Sequence, residues 1–233
     1  MYPYGFYFDR TYFLVLIGLV ISMLAQANIN AKFNKYRKIR SKRGLTGAEA
    51  AQMVLDYNNY RDISIKRVGG SLSDYFNPMT KEVALSATSF EDSSIASLAV
   101  ALHEIGHVIQ FKEGYIPLRV KSFIVPAVNF GSRLSFPILL VGVFLSQPKL
   151  VTIGLALFSL TLLFQIVTLP VEFDASRRAI LALERTHILD ESEIPGAKDM
   201  LGSAALTYVA ATLATALQLL RLFLLFGNRS RRD

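Results

Sequence analysis

A mainly α-helical membrane protein, with about four transmembrane helices and a small α+β cytoplasmic domain, is the fold class that this 233-residue sequence predicts. Three observations lead there. Hydrophobic residues make up 52% of the chain and the mean hydropathy is +0.37, too apolar for an ordinary soluble domain. The apolar residues are gathered into long runs, at 11–27, 123–145, 150–169 and 204–226. Between the first two runs lies a stretch of different character, with turn signals, short alternating segments and two of the chain's three histidines.

The first run, TYFLVLIGLVISMLAQA, holds 17 residues without a charge, close to the lower limit for a membrane span. Its basic residues follow it: Lys32, Lys35, Arg37, Lys38, Arg40, Lys42 and Arg43, with no acid among them. A signal peptide carries its positive charge ahead of the apolar core, so this run is expected to be an uncleaved anchor. By the positive-inside rule the residues just after it are expected in the cytoplasm. This clustering also accounts for much of the net charge of +7, so nucleic-acid binding is not predicted.

Thr46-Gly47-Ala48-Glu49 has the form of a capping box and predicts a short helix through Tyr57. Ile63, Ile65 and Val68 alternate as a strand, Gly69-Gly70 and Asn77-Pro78 turn the chain, and Val83, Leu85 and Ala87 alternate as a second strand. The pair is expected to form either a plain hairpin or a sheet whose strand nearest the next helix offers its edge to an extended peptide.

That next helix, SSIASLAVALHEIGHVIQF, is expected to be capped at Asp92 or Ser93. It contains His103-Glu104-Ile105-Gly106-His107. Residues i and i+4 share a helix face, so both imidazoles can reach one metal ion, and Glu104 lies beside them to act on a water. A bare H-E-x-x-H match is a loose pattern. Here the flanks are apolar, where unligated histidines are unfavourable, and Gly106 costs a helix about 1 kcal/mol against Ala unless another backbone or a substrate comes close. The chain has no cysteine, so any metal must be held by His and carboxylate. Only residues 95–102 are apolar ahead of His103, roughly 12 Å of helix at ~1.5 Å per residue, against a hydrocarbon core of about 30 Å. The metal helix is therefore expected at the membrane surface.

The run at 123–145 is interrupted by Asn129 and Arg133, which places its buried part at 134–145. Ser146-Gln147-Pro148-Lys149 turns into the 20-residue run at 150–169, and the two form a transmembrane hairpin. Its return brings Pro170-Val171-Glu172-Phe173-Asp174 back to the side of His103 and His107. Glu172 is the first acid after the hairpin and is expected to be the third ligand, with Pro170 opening its helix and Asp174 as the rival. His187 is expected to be solvated at the end of that helix. Arg221 lies inside the last run, and Arg229, Arg231 and Arg232 follow it. The resulting segments are an anchor at 1–28, a basic linker with the metal helix at 29–122, the hairpin at 123–169, a third-ligand helix with polar residues at 170–203, and a terminal transmembrane helix with a basic tail at 204–233.

VALHEIGHVIQ, together with TLPVEFDASRRA at 168–179 and ALTYVAA further on, resembles the YugP-like family of bacterial membrane zinc metallopeptidases. The resemblance covers most of the chain, and its second motif is far more specific than H-E-x-x-H. It implies a multi-pass bacterial plasma-membrane protein with a zincin-like domain, one Zn2+ and endopeptidase activity. Where the family pattern reads Asp-His-Tyr-Asp-Pro, this chain has Asp74-Tyr75-Phe76-Asn77-Pro78. The placing of a membrane hairpin between two zinc motifs is also similar to the HtpX and Ste24 membrane proteases.

The mechanism expected from these residues has zinc on His103, His107 and Glu172, a water whose pKa falls toward ~7, and Glu104 as general base. Tyr208, Arg177 and Tyr75 are candidates to steady the oxyanion. Asp174 would orient a ligand histidine or form a surface salt bridge. The partners expected are a peptide or protein substrate, membrane proteins among them, and the lipid bilayer. The alternative is a non-proteolytic membrane scaffold or chaperone with a structural zinc, which would not need Glu104. A transporter would need paired charges within the spans, and none is evident.

Overall fold

A computed structural model describes residues 9–70 and 73–226. The first eight residues of the aromatic N-terminus and Arg229, Arg231 and Arg232 of the basic tail lie outside the described residues. Among the described residues the chain forms α1 (Tyr12–Tyr36), α2 (Gly47–Tyr57), β1 (Ser64–Val68), β2 (Tyr75–Asn77), β3 (Glu82–Ser86), α3 (Ala87–Glu91), α4 (Ile95–Lys112), α5 (Ile116–Phe144), α6 (Pro148–Arg185) and α7 (Ile194–Phe226). Four of these, α1, α5, α6 and α7, are long and apolar enough to cross a membrane. The chain is a mainly α membrane protein with one small three-stranded sheet.

Two compact units divide the chain. The first takes its described residues from 9–25, 121–167 and 208–226. Here α5 and α6 meet through small residues: a Cβ on Gly142 would lie 2.7 Å from the Val151 nitrogen, and one on Gly154 would lie 3.0 Å from that of Leu139. Close backbone approach of this kind is how helices associate where lipid removes the hydrophobic drive. Leu139, Val151 and Leu155 form the small core beside it, with Leu222 and Phe226 packed on it. The Arg221 guanidinium stacks on the Tyr12 ring, 4.1 Å from its centroid, a cation–π contact. Asn129 and Arg133, which interrupt the apolar run, do not interrupt the helix. Both residues are exposed on one continuous α5, and that helix also accommodates Pro126 and Pro137.

The second unit, residues 26–120 and 168–207, holds the larger core. Leu98, Leu102, Ile105 and Val108 of α4 are buried with Val54 and Leu55 of α2, Val83 and Leu85 of β3, and Leu183 of α6. Both halves of the α2 capping box form: the Glu49 N–H donates to Thr46 Oγ1, and the Thr46 N–H donates to Glu49 Oε2.

The sheet differs from a hairpin. Its order is β1-β3-β2, with β1 parallel and β2 antiparallel to β3. The segment expected to be only a turn contains β2, and β3 is the central strand, buried from Val83 to Ser86. β3 therefore has no free edge along residues 82–84, and β2 is an edge strand instead. Ala87 opens α3 and does not continue the strand. Asp74 accepts from both the Ser86 N–H (2.8 Å) and Ser86 Oγ (3.1 Å), and Ser86 caps α3 through the Ser89 N–H. The cap of α4 is Ser94, whose hydroxyl takes the Ser97 N–H at 3.2 Å, one residue beyond the expected Asp92 or Ser93. Pro170 does not open a helix but lies within the 38 residues of α6. His187, just past the end of α6, is exposed with a φ of 50°.

Candidate metal centre

The i, i+4 spacing puts His103 and His107 on one face of α4, their ring centroids 4.9 Å apart. Glu172 reaches them from α6, with its Oε2 3.3 Å from His103 Nε2 and 3.7 Å from His107 Nε2. Gly106 permits this approach. A Cβ there would lie 2.3 Å from the Ala175 carbonyl oxygen and 2.9 Å from its carbon, so any side chain would push the α6 backbone away. The close approach expected at Gly106 is thus made by the backbone three residues after Glu172.

Donor atoms of the three residues all lie within 4.8 Å of one another. Four tetrahedral ligands at about 2.0–2.1 Å from one ion stand about 3.3–3.4 Å apart, close to the two distances from Glu172. The outer contacts fit the same purpose. The Gln110 amide nitrogen donates to the Val171 carbonyl (2.8 Å) and to Asp174 Oδ2 (3.0 Å), so the amide oxygen must be the atom facing His107 Nδ1 at 3.0 Å. An oxygen there accepts a proton carried on Nδ1, so that in the neutral imidazole Nε2 holds the lone pair and faces Glu172. His103 is held likewise, with Ser176 Oγ 3.2 Å from its Nδ1. Both histidines thus present Nε2 to the centre, as ligands oriented by partners behind them do.

Glu104 is buried beside these groups. Burial pushes its carboxyl above the ordinary carboxylate range, with Glu172 and Asp74 acting in the same direction and the two imidazoles against it. Burial disfavours the His107 imidazolium, yet Glu172, Glu104 and Gln110 together hold its pKa above the usual value. A buried pocket with this surplus of carboxylate favours a cation, and two imidazoles with one carboxylate and no thiolate suit zinc.

Asp174 turns away from the histidines. Besides Gln110 it accepts from the Arg177 and Arg178 guanidinium groups, and Arg178 also pairs with Glu113. It therefore acts on His107 through Gln110 and stands outside the His103–His107–Glu172 set. Of the residues considered for the oxyanion, Arg177 is exposed and paired with Asp174, Tyr75 is half-exposed on β2, and Tyr208 belongs to the other unit. Gln110 and Ser176 escaped sequence reading as site residues. Their only signal is spacing, Gln110 three residues after His107 and Ser176 four after Glu172, which puts each on the face of that candidate ligand.

The chain matches the family described as "Putative neutral zinc metallopeptidase" over residues 11–227. It is also 38% identical over 216 residues to the "Putative membrane protease YugP" of Bacillus subtilis (strain 168), covering 93% of this chain and 96% of that protein. No solved structure matches it.

Proposed function

Because this chain belongs to the neutral zinc metallopeptidase family, we propose that it is a membrane-embedded endopeptidase that hydrolyses peptide bonds with one zinc ion on His103, His107 and Glu172. The observation that carries this reading is the pair of distances from Glu172 Oε2 to the two Nε2 atoms, which are close to the edges of a tetrahedral zinc site, with a buried carboxylate at Glu104 beside them.

Zinc, when bound, acts as a Lewis acid on the scissile carbonyl and lowers the pKa of a water to about 7. Glu104 would take the proton from an attacking water and pass it to the leaving amine, which needs no covalent enzyme intermediate. Burial raises the pKa of this carboxyl, the direction that a group serving first as base and then as acid needs. Gln110 and Ser176 keep the two histidines in the tautomer and orientation that the site needs. An extended substrate pairing with the edge strand β2, which packs against α4, would be guided toward the centre.

Metal analysis of the purified protein together with a cleavage assay on an unfolded membrane protein tests the reading. We expect about one zinc per chain and cleavage that a chelator abolishes and added zinc restores. Zinc-free folded protein, or cleavage indifferent to the chelator, would overturn it.

We further propose that the site faces the cytoplasm. Seven basic residues follow the apolar run of α1 without an acid, and charge within about 15–20 residues of a span is what orients it. Two crossings, by α5 and α6, then return the chain to the same side for Glu172. In intact cells, cysteines introduced by Ser73→Cys and Ser192→Cys should resist a membrane-impermeant thiol reagent, and labelling of either would reverse the orientation.

A further inference from the structure

The basic run that follows the apolar part of α1 is not uniform. Lys32 pairs with Asp199 at 2.7 Å, and Tyr36 donates to the same carboxylate. Lys42 pairs with Asp190, and Arg43 donates to the carbonyls of Thr186 and His187. These three cations hold the end of α1 and the chain after it against residues 186–199. The remaining four, Lys35, Arg37, Lys38 and Arg40, are all exposed, and among the described residues none has a salt bridge to an acid. No Asp or Glu occurs from Thr11 to Ala48; Lys35 lies near Asp199, a carboxylate that Lys32 and Tyr36 already engage.

We propose that Lys35, Arg37, Lys38 and Arg40 form a docking surface for the headgroups of anionic phospholipids. Three features favour a lipid surface over any other polyanion. The four residues begin eight positions beyond the apolar run of α1, about 12 Å of helix, which keeps them near a bilayer that α1 crosses. Ile39, 41% exposed, stands among them, and an apolar side chain flanked by cations is the pattern of a segment lying in a lipid interface. The segment is also held rigid: the Ser41 N–H donates to the Ser93 carbonyl (2.8 Å), the Ile95 N–H donates to the Ile39 carbonyl (2.9 Å), and Arg40 bridges to Ser94. The backbone that carries the cations is thus joined directly to the first residues of α4, the helix that bears His103 and His107. Headgroup binding at this face would steady the start of the metal helix as well as the end of α1.

The full-length protein in bilayer discs of phosphatidylcholine and phosphatidylglycerol in equal parts tests this, with the lipids that stay bound through mild detergent extraction counted by mass spectrometry. At low ionic strength the retained lipid should be enriched in phosphatidylglycerol by at least about fivefold, and about 0.5 M salt should bring the ratio toward parity. The combined variant Lys35→Gln, Arg37→Gln, Lys38→Gln, Arg40→Gln should sit near parity in low salt with its zinc content unchanged. The charge-keeping pair Arg37→Lys, Arg40→Lys should behave as the parent. Absence of enrichment in the parent at low salt overturns the proposal without reference to any variant. So does enrichment that persists in a zinc-loaded glutamine variant. Capture of a DNA duplex by the parent in neutral discs, with no lipid preference, would assign the face to nucleic acid instead.

Discussion

Glu104→Gln is expected to leave membrane insertion intact and zinc content near normal, while peptidase activity falls at least ~10²-fold, the lower end of a general base's contribution. In free energy that is roughly 2.7 kcal/mol of transition-state stabilisation. The substitution keeps the shape of the side chain and removes only its ability to take a proton. Glu104 follows His103 by one position and so points about 100° around the helix from it, outside the set of three that share the centre. Its carboxyl is buried, so replacing it by a neutral amide removes a charge from a poorly solvated place, and stability should change little or rise. The measurement is kcat on a peptide substrate alongside zinc per folded chain. Equal activity in the variant and the parent would remove Glu104 from the chemistry. A zinc-loaded parent with no activity for the variant to lose would favour the scaffold with a structural metal.

Glu172→Ala should abolish stoichiometric zinc binding, whereas Asp174→Ala should retain zinc with weakened affinity. The structure separates the two acids by partner. Glu172 faces both histidines, and Asp174 faces Gln110 and two arginines. Loss of Asp174 leaves the Gln110 amide with one acceptor fewer and loosens its hold on His107. Removing such an outer partner costs metal affinity about 10–100-fold, and removing a ligand costs more. Zinc titrations of the two folded variants distinguish these outcomes. Retention in Glu172→Ala together with loss in Asp174→Ala would exchange the two roles.

Much of this molecule was legible in local sequence because the relevant physics is local. Continuous apolar runs announce helices that can cross a membrane, since a bilayer leaves the backbone no partner but itself. The capping box at Thr46 and Glu49 closes within four residues, and His103 and His107 share a face by helix period alone. Gly106 was legible in the same way, as a helix-weakening residue that needed a reason, and the reason is the Ala175 carbonyl.

Other features depend on partners distant in the chain, and no local pattern encodes a partner. Alternation marked β1 and β3 as strands but carried no information on direction, so a hairpin was expected where β2 takes the far edge and β1 runs parallel to β3. Pro170 signals a helix start by its missing N–H, yet α6 continues through it. Membership of Glu172 in the set with His103 and His107, and the turning of Asp174 toward Gln110, were decided by the close packing of α4 on α6 at Gly106. Two acids two positions apart on a helix point in directions about 200° apart, and only the position of the neighbouring helix determines which of them meets the histidines.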